Sequence, residues 1–196
     1  MLAALSIVIA YLLGSISSSY VIARLLGKCN LKTEGDGAIS AAAVYKHFGK
    51  GPFLLVVILD MSLAALGVII ARNLTGSDNI ALIAGLAAVI GHNWSIFLNF
   101  RGGLGATAIG GVLAAVSFFP FLVGLGIAAL VMVVTRRPGI STAVGIVVVS
   151  IILLFQFGIV LAIYPLALFL IMILKRTQKI RFRRIPSGNN SCGKIK

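Results

Sequence analysis

The chain has 196 residues, 60% of them hydrophobic and only 11% charged, with a mean hydropathy of +1.12. Ordinary globular domains are about 45–50% apolar, so the composition excludes a water-soluble domain and defines an integral membrane protein. The net charge of +13 would suit a nucleic-acid binder, but eight of the seventeen Lys and Arg follow Leu174 and most others flank apolar runs. That distribution belongs to loops held at the cytoplasmic face against anionic lipid headgroups, and it excludes nucleic acid as the partner.

The first apolar run, residues 2–23, lacks a basic leader and an A-x-A site and so reads as a membrane helix rather than a cleaved signal. Its late segment Gly14-Ser15-Ile16-Ser17-Ser18-Ser19-Tyr20 is rich in small hydroxylated residues. Such a segment either packs helices closely or lines a polar cavity. The connection 24–52 is the longest in the chain and contains a turn, Gly35-Asp36-Gly37, then a short helix expected over Ala38–Phe48 and ended by Gly49. Ser40 lies near the start of that helix, where free N–H groups and a partial positive charge suit an anion, and Lys46 follows a little under two turns later. An amphipathic helix with its lysines on lipid headgroups is the competing reading. Cys29 and Cys192 are isolated and read as free thiols without a role.

Further apolar runs cover 53–71, 80–98, 104–135 and 139–174. A helix needs about 20 residues to cross the hydrocarbon, so the last two runs are too long for one span each. They divide at Ser117-Phe118-Phe119-Pro120, where proline suits a helix start, and near Gln156-Phe157-Gly158. The expectation is an all-α, polytopic fold with seven transmembrane helices: 2–23, 53–71, 80–98, 104–117, 120–135, 139–155 and 158–174. Seven spans place loops 24–52, 99–103 and 136–138 on one side with the tail from 175, gathering 16 of the 17 basic residues there and leaving Arg72 opposite. The positive-inside rule then sets the N-terminus outside and the C-terminus in the cytoplasm. The expected domain plan is one transmembrane domain over 1–185 and a disordered tail over 186–196.

Asp60, inside the second span, is a functional candidate by default because a carboxylate in hydrocarbon is costly; its alternative is a structural hydrogen bond to Ser or Thr. His92-Asn93-Trp94 precedes the segment Phe100-Arg101-Gly102-Gly103-Leu104-Gly105-Ala106. Three glycines and an arginine at the edge of hydrocarbon suit a phosphate or carboxylate, because glycine brings backbone N–H groups close and arginine supplies a charged fork. A short basic turn between packed helices would use the same residues. No Ser-His-Asp triad or metal-ligand spacing is visible among two histidines and four acids. Chemistry here therefore rests on positioning and phosphate stabilisation rather than a strong protein base.

Taken together, Tyr11-Leu12-Leu13-Gly14-Ser15-Ile16, Val21-Ile22-Ala23-Arg24, Gly35-x-Gly37, Gly49-Lys50, Leu59-Asp60, Gly91-His92 and Phe100-Arg101-Gly102-Gly103-x-Gly105 resemble the bacterial acyl-phosphate:glycerol-3-phosphate acyltransferases, seven-helix inner-membrane enzymes. The resemblance implies transfer of a fatty acyl group from acyl phosphate to glycerol 3-phosphate, giving lysophosphatidic acid, with no metal or cofactor. It implies substrate-binding roles for Lys46, Arg101, Gly102, Gly103, Gly105, Gly35, Gly37, Ser40 and His92. The chain departs from the family pattern at Asp36 (serine expected), Ala38 and Ala43 (asparagines), Ala42 (threonine), Lys46 (arginine) and Leu104 (lysine). Ser40 stands where a glycine is expected, Lys175 where a histidine is, and Gln178 where an asparagine is. A divergent member acting as a lipid-binding or regulatory membrane protein is the alternative these departures raise.

Overall fold

The computed structural model describes residues 1–27 and 39–182, and the described chain is helical throughout. In order, the helices are α1 (Leu2–Ser15), α2 (Ser18–Gly27), α3 (Ala41–Phe48), α4 (Lys50–Thr75), α5 (Asp78–Asn93), α6 (Ala106–Val116), α7 (Phe118–Thr135), α8 (Pro138–Phe157) and α9 (Ile159–Phe182), with a 3-10 turn at Ile96–Leu98 between α5 and α6. Six segments are long and apolar enough to cross a membrane: 2–26, α4, 78–98, α7, α8 and 159–178. Helix α6, with 11 residues, is only about 17 Å long.

Both expected divisions of the long apolar runs are present. Ser117 is extended between α6 and α7, with Pro120 in the first turn of α7, and Gly158 (φ 82°) separates α8 from α9. Most helix ends lie within a few residues of expectation, and three departures are larger. The first run breaks at Ile16–Ser17, where Ser17 caps α2 by accepting the Tyr20 N–H at its hydroxyl and carbonyl oxygens. A serine-rich stretch offers its own backbone an alternative to continuous helix. The third run ends as α-helix at Asn93, and the last helix continues past residue 174 to Phe182. The turn at Gly35–Gly37, both cysteines and the expected tail over 186–196 lie outside the described residues.

Small residues let the helices approach. In α1, Gly14 lies on the backbone of Ala88, and Gly91 of α5 lies on the backbone of Tyr11. The packing reading of the Gly14–Tyr20 segment therefore holds, with Ser15, Ser18 and Ser19 all buried. The main core joins α1, α4, α5, α6, α8 and α9 through Ala10, Val68, Ala84, Val112, Leu153 and Leu168. Helices α7 and α8 meet through Gly124 and Gly145: a Cβ on Gly124 would press into Val149 and stand 2.9 Å from the Gly145 oxygen, whereas one on Gly126 would meet nothing within 4 Å. Gly124→Val is therefore expected to cost about 1–3 kcal/mol of stability, and Gly126→Val close to none. Melting of the two variants in detergent checks the contrast.

A second core cluster positions the site. Ile22, Ala23, Ile39, Val44, Val56 and Leu98 pack together, tying α2, α3 and the start of α4 to the turn that follows α5. The C-terminal part of α9 joins the same end, since Lys175 donates to the Phe100 carbonyl at 3.2 Å. Arg72 lies elsewhere, bonded to Asp78 at 2.8 Å and to the Ala115 carbonyl at 3.3 Å.

Candidate functional site

The site is built on the turn between α5 and α6. Trp94 closes α5, and the chain reverses through Asn99 and Phe100, both with positive φ (52° and 59°). That conformation is unusual for a bulky residue such as Phe100. Three bonds hold it: Phe100 N–H to Ser95 O at 2.8 Å, Arg101 N–H to Leu98 O at 3.2 Å, and the Lys175 ammonium to Phe100 O. Strained backbone over-determined by its surroundings is characteristic of functional sites.

The loop then folds back on the end of α5. Gly102 N–H donates to the Asn93 carbonyl (3.1 Å) and Gly103 N–H to the His92 carbonyl (3.0 Å). A Cβ on Gly102 would collide with the His92 oxygen, and one on Gly103 with His92 Nε2. These glycines are needed for close approach to another helix. The expectation that their N–H groups face an anion is corrected here, because both are already donated. The N–H groups of Leu104, Gly105 and the first three residues of α6 have no acceptor among the described residues, the Ile109 N–H being the first to find one, at the Gly105 carbonyl. A helix start carries such groups together with a partial positive charge. Gly105 itself adopts φ 83° and lies against the buried Asn93 amide, neither end of which is paired among the described residues.

Of the residues singled out from sequence, Arg101, Gly102, Gly103, Gly105 and His92 therefore come together. The Arg101 side chain is exposed and has no hydrogen-bond or ion-pair partner among the described residues. Ser40 caps α3, its hydroxyl oxygen accepting the Ala43 N–H at 3.3 Å. Lys46 is exposed on α3, two residues from Val44, which is packed in one cluster with Leu98. The α3 helix begins at Ala41, shorter than expected, and the same core cluster holds it beside the arginine loop. Gly35 and Gly37 lie outside the described residues.

Sequence reasoning missed two parts of this arrangement. The first is a latch from α9: Lys175 stands 5.0 Å from the Trp94 ring centroid while bonding Phe100 O, and Trp94 Nε1–H donates to Gln178 Oε1 at 3.1 Å. An ammonium over an indole face is favourable. This brings a second cation to the residue next to Arg101. The second is a histidine–carboxylate pair, His92 Nε2 lying 3.9 Å from Asp60 Oδ2. No sequence spacing pointed to it because the partners sit on different helices, 32 positions apart.

These helices define a multi-pass membrane protein with a polar, cation-bearing turn at one end of the bundle. Comparison with known proteins is more specific. The chain matches the glycerol-3-phosphate acyltransferase family over residues 4–185, and it belongs to that family. It is 34% identical over 195 residues to the glycerol-3-phosphate acyltransferase of Shouchella clausii, covering 96% of this chain and 95% of that one. It is 41% identical over 108 residues to that of Halalkalibacterium halodurans, covering 54% and 52%. It is also similar to the crystal structure of PlsY (YgiH), an integral membrane glycerol 3-phosphate acyltransferase, in its glycerol 3-phosphate form. There the TM-score is 0.81 at 27% identity, covering 91% of this chain and 90% of the other. The lysophosphatidic acid form of PlsY matches with a TM-score of 0.80 at 26% identity.

Proposed function

We propose that the protein transfers a fatty acyl group from acyl phosphate to glycerol 3-phosphate, producing lysophosphatidic acid for phospholipid synthesis. Family membership over residues 4–185 carries the acyltransferase reading. What the site adds is cations gathered around a glycine loop. Arg101 follows Phe100 in the chain and Lys175 bonds the Phe100 carbonyl, Lys46 belongs to the neighbouring α3, and Leu104 stands inside the loop where the family pattern has a lysine. Lys175 restores a positive charge to the loop from α9.

In the reaction, a hydroxyl oxygen of glycerol 3-phosphate attacks the acyl carbonyl carbon, the bond from that carbon to the phosphate oxygen breaks, and the hydroxyl proton leaves with the phosphate. Both substrates are anionic. The chain contributes by fixing their phosphates beside one another and by stabilising charge at the breaking bond with Arg101, Lys175 and the N–H groups at the start of α6. No metal or cofactor enters this scheme.

The reading includes one transmembrane domain over 1–185 that crosses the membrane seven times, α6 serving as a short seventh crossing, with the N-terminus outside and the site facing the cytoplasm of a bacterial inner membrane. The support is the grouping of helix ends, which puts Phe100, Lys175 and Leu98 with α3, and Arg72 with Asp78 and Ala115. Labelling with a membrane-impermeant thiol reagent should modify Arg72→Cys in intact cells and reach Cys192 only after lysis. Modification of both in intact cells would overturn the topology. The function itself is tested by expression in a bacterial strain lacking its own acyltransferase. Growth is expected, whereas absence of growth with the protein present in the membrane would favour the lipid-binding alternative.

A further inference from the structure

Asp60 is 3% exposed on α4, within a membrane-spanning segment, and the scheme above leaves it without a task. Its Oδ2 accepts the Thr107 hydroxyl at 2.9 Å and faces His92 Nε2 at 3.9 Å, while Oδ1 is buried with no partner among the described residues. Thr107 is the second residue of α6, immediately beyond the loop, and the His92 carbonyl holds the Gly103 N–H in the middle of the loop. The His92 ring also lies directly beneath Gly103. Both anchorages of the glycine loop thus lead to one carboxylate oxygen. A neutral side chain would serve Thr107 equally well as an acceptor, at less cost in hydrocarbon than a carboxylate. What a carboxylate adds is a charge that orients an imidazole N–H, the role it plays behind catalytic and metal-bound histidines generally.

We propose that Asp60 is a positioning residue for acyl transfer. Its charge holds the His92 ring, and through Thr107 the first turn of α6, so that the Arg101–Gly105 loop meets the reacting groups in a fixed geometry. This rests on the acyltransferase reading above. The α4 carboxylate acts through His92 and does not itself touch substrate, so it governs turnover more than binding.

The test is acyl transfer by purified wild type, Asp60→Asn, His92→Gln and the double variant, with kcat and KM read separately for glycerol 3-phosphate and a long-chain acyl phosphate. Asp60→Asn keeps the shape and an acceptor for Thr107 but loses the charge. Its kcat is expected to fall about tenfold or more, with KM for glycerol 3-phosphate and the melting temperature in detergent unchanged. The double variant should be no slower than His92→Gln alone, because coupled residues are not additive. Wild-type kcat in Asp60→Asn, or multiplicative losses in the double variant, would overturn the proposal. If Asp60→Asn does not fold, Thr107→Val and Thr107→Ser decide: kcat should fall in the first and persist in the second, and equal kcat in the two would refute the link. Absence of turnover by wild type would instead refute the acyltransferase reading, so the two failures are distinct.

Discussion

Replacing Arg101 by Ala is expected to raise KM for glycerol 3-phosphate by about ten- to 150-fold in a purified-enzyme assay. The guanidinium is exposed beside the loop, and no described protein group competes for it. A charge-assisted hydrogen bond contributes about 1.5–3 kcal/mol, and each 1.4 kcal/mol is about tenfold. Arg101→Lys should recover only part of the loss, since an ammonium lacks the planar two-donor fork. Lys175→Ala should raise the same KM by a smaller factor, because its ammonium is already engaged by the Phe100 carbonyl and the Trp94 ring. An unchanged KM in Arg101→Ala would remove that side chain from the substrate site.

Gly103→Val is expected to reduce kcat by about 100-fold or more, the scale on which a displacement of about 1 Å costs an enzyme its alignment. The reason is steric. Gly103 donates to the His92 carbonyl with the His92 ring directly beneath it, so any side chain must displace that ring or push the loop away from α5. Gly110→Ala on α6 is the matched control, since a Cβ there meets Met61 and Phe121 only at 3.6 Å, an ordinary contact. Kinetics of both variants, alongside their melting temperatures in detergent, separate a displaced loop from a protein that fails to fold. A fully active Gly103→Val would mean that the loop is not held in this geometry during catalysis.

The helical plan was legible because membrane spans announce themselves by length and hydropathy. The breaks at Ser117 and Gly158 follow from runs too long for one crossing. The break at Ile16–Ser17 was not legible, since a serine-rich stretch also suits close packing of a continuous helix and only backbone bonding by Ser17 reveals the break. Within the site, the glycines of the 100–106 segment could be recognised as a place of close approach, but not what approaches. Composition suggests an anion at free N–H groups; the structure shows the end of α5 accepting two of them. Lys175 and Phe100 are 75 positions apart, and Asp60 and His92 sit on separate helices. Such pairings depend on how helices pack, which sequence spacing does not encode. Lys175 illustrates the consequence: beside Leu104 in the sequence pattern it looks like one more departure, whereas in three dimensions it returns a cation to the loop.

Acyl transfer at the Arg101 loop can be followed in the fate of a radiolabelled acyl phosphate given to the purified protein with glycerol 3-phosphate. Label is expected in lysophosphatidic acid, dependent on glycerol 3-phosphate and strongly reduced in Arg101→Ala. Label that remains in acyl phosphate or appears only as free fatty acid, with the protein folded and glycerol 3-phosphate in excess, would contradict it.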